Sequence, residues 1–572
     1  MHKNFRFALS LFAAVILLSS CGKKAPKEAK YIPKDATFAF VVNPKSLEDK
    51  MKSGNLTLDS LMKKFQAQGD TLKVADKQRW EDFKNCGVSL EDNFFIFIVQ
   101  KGSIQKGNSA VMNLMGTLKD EAKFEAFLKK QESFKDKVVT KGSNYSSIVD
   151  DNMTLSWNKE IVLATYYQED YKARYDTAGN YQAPDKSATQ ADLKKEVERY
   201  FTQKESESVA SIDAFNNMFK EKADGYMFGT SSGALAYLSA TPFNMPKLQE
   251  LLKDNYSTTT FNFEDGKVVA KSATYTNPMM TSILKKYAGP TVNIAAVEKF
   301  PAQNINGALL LAINPEMFSA ILKELELGGM VDMFLGQQGL TSADIFKALK
   351  GEMNIVFGDF SMAMKEQSIP MPDGTVYKSN TEAPVYKMLV TATVGDKAAF
   401  AKLMDKAVES GAVVKENGNY VAGPLLKMAN MYLHVDDKNF VLASDSATYA
   451  AYIAGTGKAN ISADVLDKMK GKASAGYLDI NSIMKGVMPS IKNNMGNKMM
   501  SIVNGTLKDA LFTANNFDGT TVKGEAELRM VNTKQNSLVS LVNMFSSMAM
   551  AAKEESRMYN APVVDSVYTP KQ

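Results

Sequence analysis

The chain has 572 residues, with 68 lysines and arginines against 63 aspartates and glutamates, which gives a formal net charge of +5 at pH 7. So small an excess does not predict the basic patch or stripe of a nucleic-acid-binding protein, and we expect no nucleic-acid partner. Two histidines and two cysteines are too few for the clusters that bind zinc or relay protons, so we predict no metal and no cofactor and favour a non-catalytic protein.

The first twenty residues have the three-part pattern of a secretory signal peptide. A positive start at Lys3 and Arg6 precedes the apolar run Leu9–Leu18, which is too short to span a bilayer comfortably. Two serines then precede Cys21 and a glycine follows it, as in the lipobox of bacterial lipoproteins. We therefore predict that residues 1–20 are removed as a signal peptide and that lipid on Cys21 attaches the protein to a membrane.

Residues 21–30 are predicted to connect this lipid to the folded chain. Several acyl chains on one cysteine give stable anchoring, because each buried methylene contributes roughly 0.8 kcal/mol. We interpret the lysine-rich segment as a solvated tether, with contact to anionic head groups as the alternative. At the other end of the chain, residues 551–572 are predicted to form a polar tail.

Cleavage would leave His434 as the only imidazole and Cys86 as the only thiol that carries no lipid. No intramolecular disulfide could then form. Cys86 is predicted to be a buried small hydrophobic residue rather than a reactive thiol. His434 lies in the strand-like run 431–435 and is predicted to be a paired or surface residue of a strand rather than a metal ligand or a base.

Sequence landmarks recur in the same order in two parts of the chain. An apolar strand ends at Asn43-Pro44 and again at Asn314-Pro315, where asparagine suits a helix N-cap and proline the first helical turn. Asp265-Gly266 and Asp518-Gly519 both predict hairpin turns. A third landmark matches Gly225-Tyr226 with Gly476-Tyr477.

These landmarks predict a tandem duplication, with a first repeat at residues 31–298 and a second at 299–550. Each repeat is predicted to contain both strands and helices. The hairpin turns and the short spacings between elements favour antiparallel pairing of the strands. The predicted fold class is therefore α+β, a tandem duplication of a mostly antiparallel sheet with helices packed on one face. The first repeat has an additional charged helical stretch near residues 191–222, and the second has an additional loop near residues 367–384.

One segment fits the G-x-S-x-G pattern of serine hydrolases, with Ser231 at its centre. It follows a strand and precedes the predicted helical run 234–240, which is the context that a nucleophile elbow needs. The matching segment of the second repeat lacks the glycines, and His434 lies in that other repeat. A serine helix cap explains the same residues, so a hydrolase is kept as an alternative only.

A second candidate site consists of methionines at helical spacing, namely Met484, Met488, Met495 and Met499. Each pair separated by four residues shares one helix face, which predicts core packing or a helix interface. Flexible thioether side chains also accommodate varied apolar ligands, and they favour Cu(I). An apolar-ligand groove and a copper site are therefore the two alternatives.

The lipobox, the opening Tyr31-Ile32-Pro33-Lys34-Asp35-Ala36, the strand end at Asn43-Pro44 and the duplicated layout resemble the Bacteroidota outer-membrane lipoproteins grouped as domain of unknown function 4836. The resemblance covers essentially the whole mature chain. That family has no established activity, so the resemblance implies an outer-membrane lipoprotein but no catalytic residues. Surface-exported members carry acidic residues after the cysteine, whereas Lys23 and Lys24 stand there in this chain, which favours the periplasmic side over the cell surface.

The same resemblance implies O-glycosylation, which these bacteria place at Asp-Ser/Thr-apolar triplets of exported proteins. Five triplets fit, and their hydroxyl groups belong to Ser60, Thr71, Thr177, Ser446 and Ser566. Ser566 is favoured because it lies in the polar tail. An unshifted mass of the tail peptide from the native host would contradict this expectation.

Taken together, the sequence favours a membrane-anchored envelope lipoprotein that acts as a non-catalytic binding or scaffold protein. Its expected partners are the membrane, through lipid on Cys21, and an apolar small molecule or another envelope protein. One alternative is a carrier of lipid or another apolar ligand that uses the Met-rich second repeat. The other is a serine hydrolase at Ser231.

Overall fold

The computed structural model describes residues 25–57, 60, 78, 81–101, 109–168, 174–175, 181–182, 186–231, 245–370 and 375–559. The predicted signal peptide, Cys21 and residues 560–572 lie outside these ranges. None of the helices in the described ranges is both long enough and apolar enough to cross a membrane. The predicted α+β class is confirmed, because a large antiparallel sheet is combined with many helices.

The strands of the described residues are numbered in chain order. They are β1 (Phe38–Val42), β2 (Phe94–Gln100), β3 (Ala110–Thr117), β4 (Thr140–Lys141), β5 (Ser146–Asp150), β6 (Met153–Trp157), β7 (Ile161–Gln168), β8 (Arg174–Tyr175), β9 (Tyr181–Gln182), β10 (Gly225–Thr230), β11 (Tyr256–Glu264), β12 (Lys267–Tyr275), β13 (Ile305–Ile313), β14 (Leu349–Pro370), β15 (Val376–Val394), β16 (Val413–Glu416), β17 (Asn419–Ala422), β18 (Tyr432–Val435), β19 (Asn439–Ala443), β20 (Ser474–Leu478), β21 (Leu507–Ala514) and β22 (Thr521–Met530).

The α-helices are numbered in the same way. They are α1 (Pro44–Ser53), α2 (Glu121–Lys130), α3 (Lys186–Thr202), α4 (Asp213–Met218), α5 (Pro246–Leu252), α6 (Pro278–Lys286), α7 (Ala295–Glu298), α8 (Glu316–Glu324), α9 (Gly328–Gly336), α10 (Ser342–Ala348), α11 (Lys397–Glu409), α12 (Pro424–Met428), α13 (Ser446–Ile453), α14 (Ala463–Met469), α15 (Ile480–Val487), α16 (Asn494–Thr506) and α17 (Ser537–Tyr559). Short 3-10 helices cover Lys27–Tyr31, Glu205–Glu207, Val209–Ser211 and Met488–Ser490.

Local sequence explains where several helices begin. The side chain of Asn43 accepts a hydrogen bond from the backbone N–H of Ser46 at 3.1 Å, and Pro44 occupies the first turn of α1. Asp120 and Asp396 cap α2 and α11 in the same way. These side chains satisfy backbone donors that have no partner inside the helix, which is why the chain turns from strand to helix at these positions.

Eighteen strands form one sheet, in the order β4-β5-β6-β7-β3-β2-β1-β10-β11-β12-β22-β21-β20-β13-β14-β15-β19-β18. Every pairing between described strands is antiparallel. The strand order repeats: β7-β3-β2-β1-β10-β11-β12 corresponds to β19-β15-β14-β13-β20-β21-β22. We call β1–β12 with their helices the first half and β13–β22 with theirs the second half. The duplication itself and its boundaries stay predictions.

The predicted loop near residues 367–384 is wrong. The outer parts of β14 and β15, from Ser361 to Pro370 and from Val376 to Val385, pair with each other in a two-stranded ribbon. Each strand of a ribbon has one free edge, where a proline removes no hydrogen bond from the ladder. The prolines that suggested a loop are therefore compatible with paired strands.

The strand register gives a residue-by-residue equivalence between the halves. With Asn43-Pro44 set equivalent to Asn314-Pro315, Phe38 corresponds to Leu309, and these residues pair with Gly229 and Gly476. Gly476 is thus equivalent to Gly229, four residues away from the glycine that the sequence landmark suggested. Continuing through the next two strand pairs sets Ser257 equivalent to Phe512 and Thr274 equivalent to Ala526.

The two halves exchange helices across their junction. Helix α17, which follows the last strand of the second half, packs against α1 of the first half. Helix α6, which follows the last strand of the first half, packs against α8 of the second half. The junction is further fixed by Ser537, whose hydroxyl donates to the carbonyl of Lys267 at 2.8 Å. Each half therefore contributes a helix to its neighbour, as expected for an approximate two-fold arrangement.

Each half has its own buried core. In the first half, α3 and α4 cover the sheet face that carries Phe97 and Phe228. The predicted helical stretch near 191–222 is thus confirmed. On the opposite face of β2, β3 and β7, the exposed apolar side chains are Ile96, Met112, Leu114 and Tyr166, which are 38% to 50% exposed. The second core includes residues from Val292 to Leu511.

Candidate functional site

A polar groove of about 460 Å³ opens on the second half of the sheet. Its floor is formed by β14, β15, β19 and β18, and its walls by α7 and the end of α13. The polar residues that line it are Asn293, Lys299, Glu352, Asn354, Thr391, Thr393, His434, Asp436, Asn439 and Tyr452. The volume lies within the range of about 300–1,000 Å³ that is usual for small-molecule sites.

The groove is open because one connecting segment is short. In the first half, residues 169–224 connect β7 to β10 and include α3, whereas in the second half residues 444–473 connect β19 to β20. The second connection is little more than half as long. Its helix α13 packs against β15, β18 and β19 but ends at Ile453, which lies on the rim of the groove.

The first half shows what a covered version of the same face looks like. Phe97, Asn113, Thr165 and Thr154 are paired in one row across β2, β3, β7 and β6, and each is at most 2% exposed. Tyr200 of α3 packs its ring against Phe97 with the centroids 5.5 Å apart. This row is therefore sealed from solvent by a helix of the same chain.

The equivalent row of the second half lies at the groove. Asn354, Thr391, Val441 and His434 are paired across β14, β15, β19 and β18, and all four line the cavity. By register, Asn354 takes the position of Phe97 and His434 that of Thr154. Phe97 packs under the ring of Tyr200 in the first half. Its equivalent in the second half is Asn354, which lines an open groove.

Asn354 is the most deeply buried polar residue of this row. It is 5% exposed, and its Nδ2 donates to the hydroxyl of Thr391 at 3.1 Å. Its Oδ1 has no hydrogen-bond partner among the described residues. This oxygen is closed to solvent, so only the small exposed part of Asn354 borders the groove.

Glu352 is the acidic group of the groove floor. It lies two residues before Asn354 on β14, so both side chains are on the same face of the strand. Burial raises the pKa of the Glu352 carboxyl above its ordinary value, because the charged form loses hydration. The carboxyl forms no ion pair within the described part of the chain, so it is available to a ligand.

His434 and Asp436 form a pair at the outer end of the groove. The Nε2 of His434 is 3.2 Å from Oδ2 of Asp436. Burial raises the pKa of Asp436, but hydrogen bonds from the backbone N–H groups of Lys438 and Asn439, both 2.7 Å long, outweigh this and lower it to about 2. The carboxylate is therefore charged at neutral pH and orients the imidazole ring.

The remaining walls are apolar. Phe440, Tyr452 and Ile453 line the groove beside the polar row. Burial raises the pKa of the Tyr452 hydroxyl, so this group is a neutral donor and acceptor at neutral pH. The site thus combines hydrogen-bonding groups on its floor with an aromatic wall, which is a common composition of binding pockets for small molecules.

The structure separates Ser231 from this site. Ser231 directly follows β10 in the first half, and its hydroxyl donates to the carbonyl of Leu252 and, at 3.3 Å, to that of Asn255. These bonds hold the segment after β10 against the end of α5. The predicted helical run 234–240 that suggested a nucleophile elbow lies outside the described residues.

The four candidate methionines lie on the predicted pair of helices, and none of them lines the groove. Met484 is in α15, Met488 begins the 3-10 helix that follows, and Met495 and Met499 are in α16. All four are half-buried. An apolar-ligand site formed by them stays a prediction.

The other predicted positions are distributed over the chain. Cys86 is free and 1% exposed in a small core with Phe124 and Trp157, and burial raises the pKa of its thiol. Ser60 hydrogen-bonds to Thr57, and Ser446 is an exposed residue at the start of α13. The sites at Cys21, Thr71, Thr177 and Ser566 lie outside the described residues.

Sequence reasoning missed the groove residues apart from His434, which it placed in a strand without a binding role. The available signal was a pair of polar side chains, Glu352 and Asn354, on one face of a strand that the duplication predicts to be central. Among the described residues, no cluster of three or more acidic, histidine or cysteine side chains could hold a metal ion.

Comparison with known sequences identifies the group to which the chain is related. The profile of a family described as "Domain of unknown function (DUF4836)" matches residues 29–538. The chain belongs to this family. The match confirms the family part of the resemblance drawn from the sequence, and the DUF4836 region contains both halves of the sheet and the whole groove. The bacterial group and the lipoprotein character stay predictions.

No curated protein matches this DUF4836 chain. Among solved structures, crystal forms I and IV of TP0453 match it with 9% and 6% sequence identity and a TM-score of 0.21 in both cases. Each alignment covers 45% of this chain, with 81% and 84% of the respective TP0453 chain. A TM-score this low carries no argument about fold or function.

Proposed function

We propose that the protein is a membrane-anchored, non-catalytic binding protein whose second half holds an uncharged, hydroxyl-rich small molecule in the polar groove. The observation that carries the proposal is the row of polar side chains Asn354, Thr391 and His434 on the floor of an open groove of about 460 Å³. Amide, hydroxyl and imidazole groups hydrogen-bond to the hydroxyl groups of a ligand.

The charges of the groove favour an uncharged ligand. Lys299 contributes a positively charged group and Glu352 an acidic group. The charge of Asp436 is already compensated by backbone donors and His434. The amides and hydroxyls between them supply both donors and acceptors. A neutral molecule with several hydroxyl groups, such as a saccharide, matches this set, and the ring of Tyr452 offers a surface for its apolar face.

The equivalence between the halves supports the same position for the ligand. In the first half, the ring of Tyr200 packs at 5.5 Å from the ring of Phe97. Asn354 is the register equivalent of Phe97, so a ligand ring above Asn354 would take the place that the tyrosine ring has in the first half. The chain itself therefore provides a template for a six-membered ring bound at this face.

Membrane attachment is the second part of the proposal. It is supported by the lipobox at Cys21 and by the polar tether that follows. Outer-membrane location on the periplasmic side follows from the resemblance and from Lys23 and Lys24. A tethered binding protein would keep its ligand near the membrane surface without catalysis.

Binding is tested with the chain from Lys24 to Gln572, which contains every described residue. A panel of neutral mono- and disaccharides is titrated by calorimetry, and small molecules extracted from gently purified protein are identified by mass spectrometry. We expect Asn354→Leu to weaken saccharide binding at least tenfold. Asn113→Leu is the matched control, because Asn113 is also a buried asparagine with an unpaired Oδ1 but lies beneath α3.

Three outcomes would contradict the proposal. Wild-type protein that binds none of the saccharides and yields no polar compound on extraction would remove its basis. Equal losses in Asn354→Leu and Asn113→Leu would indicate a general effect on folding. An extracted lipid, or fluorescent fatty acid binding that is lost in Met484→Ser, would favour the apolar-carrier alternative instead.

A further inference from the structure

A second groove of about 460 Å³ lies where the two halves join, on the central strands β11, β12, β22 and β21. We call it the axial groove. The residues that matter for its chemistry are Lys220, Thr258, Lys271, Lys472, Thr513 and Lys523. It shares no lining residue with the polar groove of the second half, so a ligand bound here is independent of the proposed function.

Lys271 and Lys523 are equivalent residues of the two halves. Lys271 pairs with Glu525 and Lys523 pairs with Ala273, so the two lysines lie diagonally across β12 and β22 on the same sheet face. Diagonal neighbours in an antiparallel pair are about 7–8 Å apart. Two lysine side chains thus lie on one sheet face beside the axis that relates the halves, and the equivalent residues Thr258 and Thr513 lie on the neighbouring strands.

The positive charge of the axial groove is incompletely compensated. Lys271 and Lys220 form no ion pair with any described residue, and Lys472 donates to the neutral amide of Asn515 at 3.0 Å. Lys523 forms an ion pair with Asp518 at 3.1 Å, and Glu525 lies directly opposite Lys271 without an ion pair to it. Glu221 and Glu525 are the only acidic side chains of the lining, against four lysines. The lining therefore has an excess of two positive charges, which attracts anions.

We propose that the axial groove binds a phosphate-bearing ligand, with Lys271 and Lys523 on its negatively charged groups. Lysine is a common phosphate ligand because its ammonium group donates in three directions. The hydroxyl of Thr513 adds a neutral donor, whereas that of Thr258 already donates to the carbonyl of Ala273 at 3.4 Å. Because the two lysines are related by the two-fold arrangement, a ligand with two phosphate groups fits better than one with a single group. Its source is either a soluble phosphate compound or a phospholipid head group.

The test uses the chain from Lys24 to Gln572 at low ionic strength. Inorganic phosphate and inorganic diphosphate are titrated by calorimetry into wild type and into the double variant Lys271→Gln, Lys523→Gln. We expect diphosphate to bind wild type more tightly than phosphate, and the double variant to bind it at least tenfold more weakly. Binding should also weaken as salt is added, because salt screens exposed charges.

The control is the double variant Lys129→Gln, Lys130→Gln, which removes the same charge from the exposed end of α2. Its affinity should stay within twofold of wild type. Flotation with phosphatidylglycerol vesicles, compared with phosphatidylcholine vesicles, distinguishes the source. Vesicle binding that only the groove variant loses assigns a head group, and diphosphate binding without vesicle binding assigns a soluble ligand. Absence of both, or equal loss in the control, would overturn the proposal.

Discussion

Ser272 and Gly524 lie opposite each other in the pair β12–β22 that joins the halves. They are equivalent residues by register, so the approximate two-fold axis of the sheet passes between them. A Cβ atom on Gly524 would lie 2.7 Å from the Oγ of Ser272 and 3.3 Å from the carbonyl oxygen of Thr513. Because Gly524 has no side chain, β12 and β22 can approach each other this closely at the junction of the halves.

Gly524→Val should destabilise the protein. Valine favours strands in general, but here its side chain would collide with Ser272 and Thr513, and overpacking costs roughly 1–3 kcal/mol. Gly505→Ala is the control, because nothing lies within 4 Å of the added Cβ and alanine favours the helix by about 0.5 kcal/mol or more. Urea denaturation should give opposite signs for the two variants. A stabilising Gly524→Val would contradict the close approach at the axis.

Asp224→Ala should be among the most destabilising single changes. Asp224 is 2% exposed and binds Lys50, the hydroxyl of Ser46 at 2.5 Å and the backbone N–H of Phe263 at 2.7 Å. Removing one partner of a buried ion pair costs about 3 kcal/mol or more. Asp49→Ala removes an exposed partner and should change the free energy of unfolding by less than about 0.5 kcal/mol. Similar effects of both variants would contradict the anchoring role of Asp224.

Tyr200→Phe and Tyr31→Phe should have opposite effects on the free energy of unfolding. The hydroxyl of Tyr200 is buried beside the side chains of Asn113 and Arg199 without a hydrogen bond of good geometry, so its removal should stabilise the protein by up to about 1 kcal/mol. The hydroxyl of Tyr31 donates to Glu160 at 2.9 Å and accepts from Asn158 at 3.0 Å. Its removal should cost about 1 kcal/mol. A destabilising Tyr200→Phe would indicate that a buried water molecule binds this hydroxyl.

Glu352→Gln should stabilise the protein at neutral pH. Because burial raises the pKa of Glu352, the folded state binds its proton more tightly than the unfolded chain does. Stability is therefore lost as pH rises from the unfolded pKa, about 4.3, through the folded pKa. Glutamine avoids this loss, so the difference between variant and wild type should be present at about pH 7 and vanish below about pH 4.

Denaturant unfolding at several pH values measures this difference directly. Glu416→Gln is the matched control, because Glu416 is an exposed carboxylate on β16 that forms no ion pair with a described residue. The control should show no gain at neutral pH. A Glu352→Gln variant that is less stable than wild type at neutral pH would show that the carboxylate has a stabilising partner.

Cys21→Ser should release the protein from membranes. The change removes the only sulfur on which the predicted lipid can be placed, and a polar tether alone gives no stable anchoring. Fractionation and intact mass in a bacterial host measure the loss of membrane association and of the acyl mass. Cys86→Ala keeps the lipobox and should stay in the membrane fraction. Persistence of Cys21→Ser in that fraction would contradict lipid anchoring.

Local features of the fold were predictable from the sequence. Asn43 acts as an N-cap as its position before a helix suggested, because capping depends on residues within one turn. The sequence landmark matched Gly476 with Gly225, whereas the strand register matches it with Gly229, four residues later. A single Gly-Tyr pair recurs too easily in strands to fix the register. The two-stranded ribbon formed by Ser361–Pro370 and Val376–Val385 was not predicted, because prolines are compatible both with a loop and with a strand that has a free edge.

The candidate groove was not predictable in the same way. Its existence depends on which face of β14 carries Asn354, on the pairing of that strand with Thr391, and on the early end of α13 at Ile453. None of these is a property of neighbouring residues. The unpaired amide oxygen becomes visible only when four strands and two helices are placed around it.

The joining of the halves through their last strands also sets an order of events in folding. Strand β12 is complete once the growing chain has reached Tyr275. Its partner β22 begins only at Thr521, after nearly all of the second half. A first half that folds early would therefore present nine residues of open strand edge, which is the kind of edge that recruits other chains. Pairing over so long a sequence separation is slow. The half-folded chain is thus the species most exposed to association through an open strand edge, and pairing with β22 covers that edge.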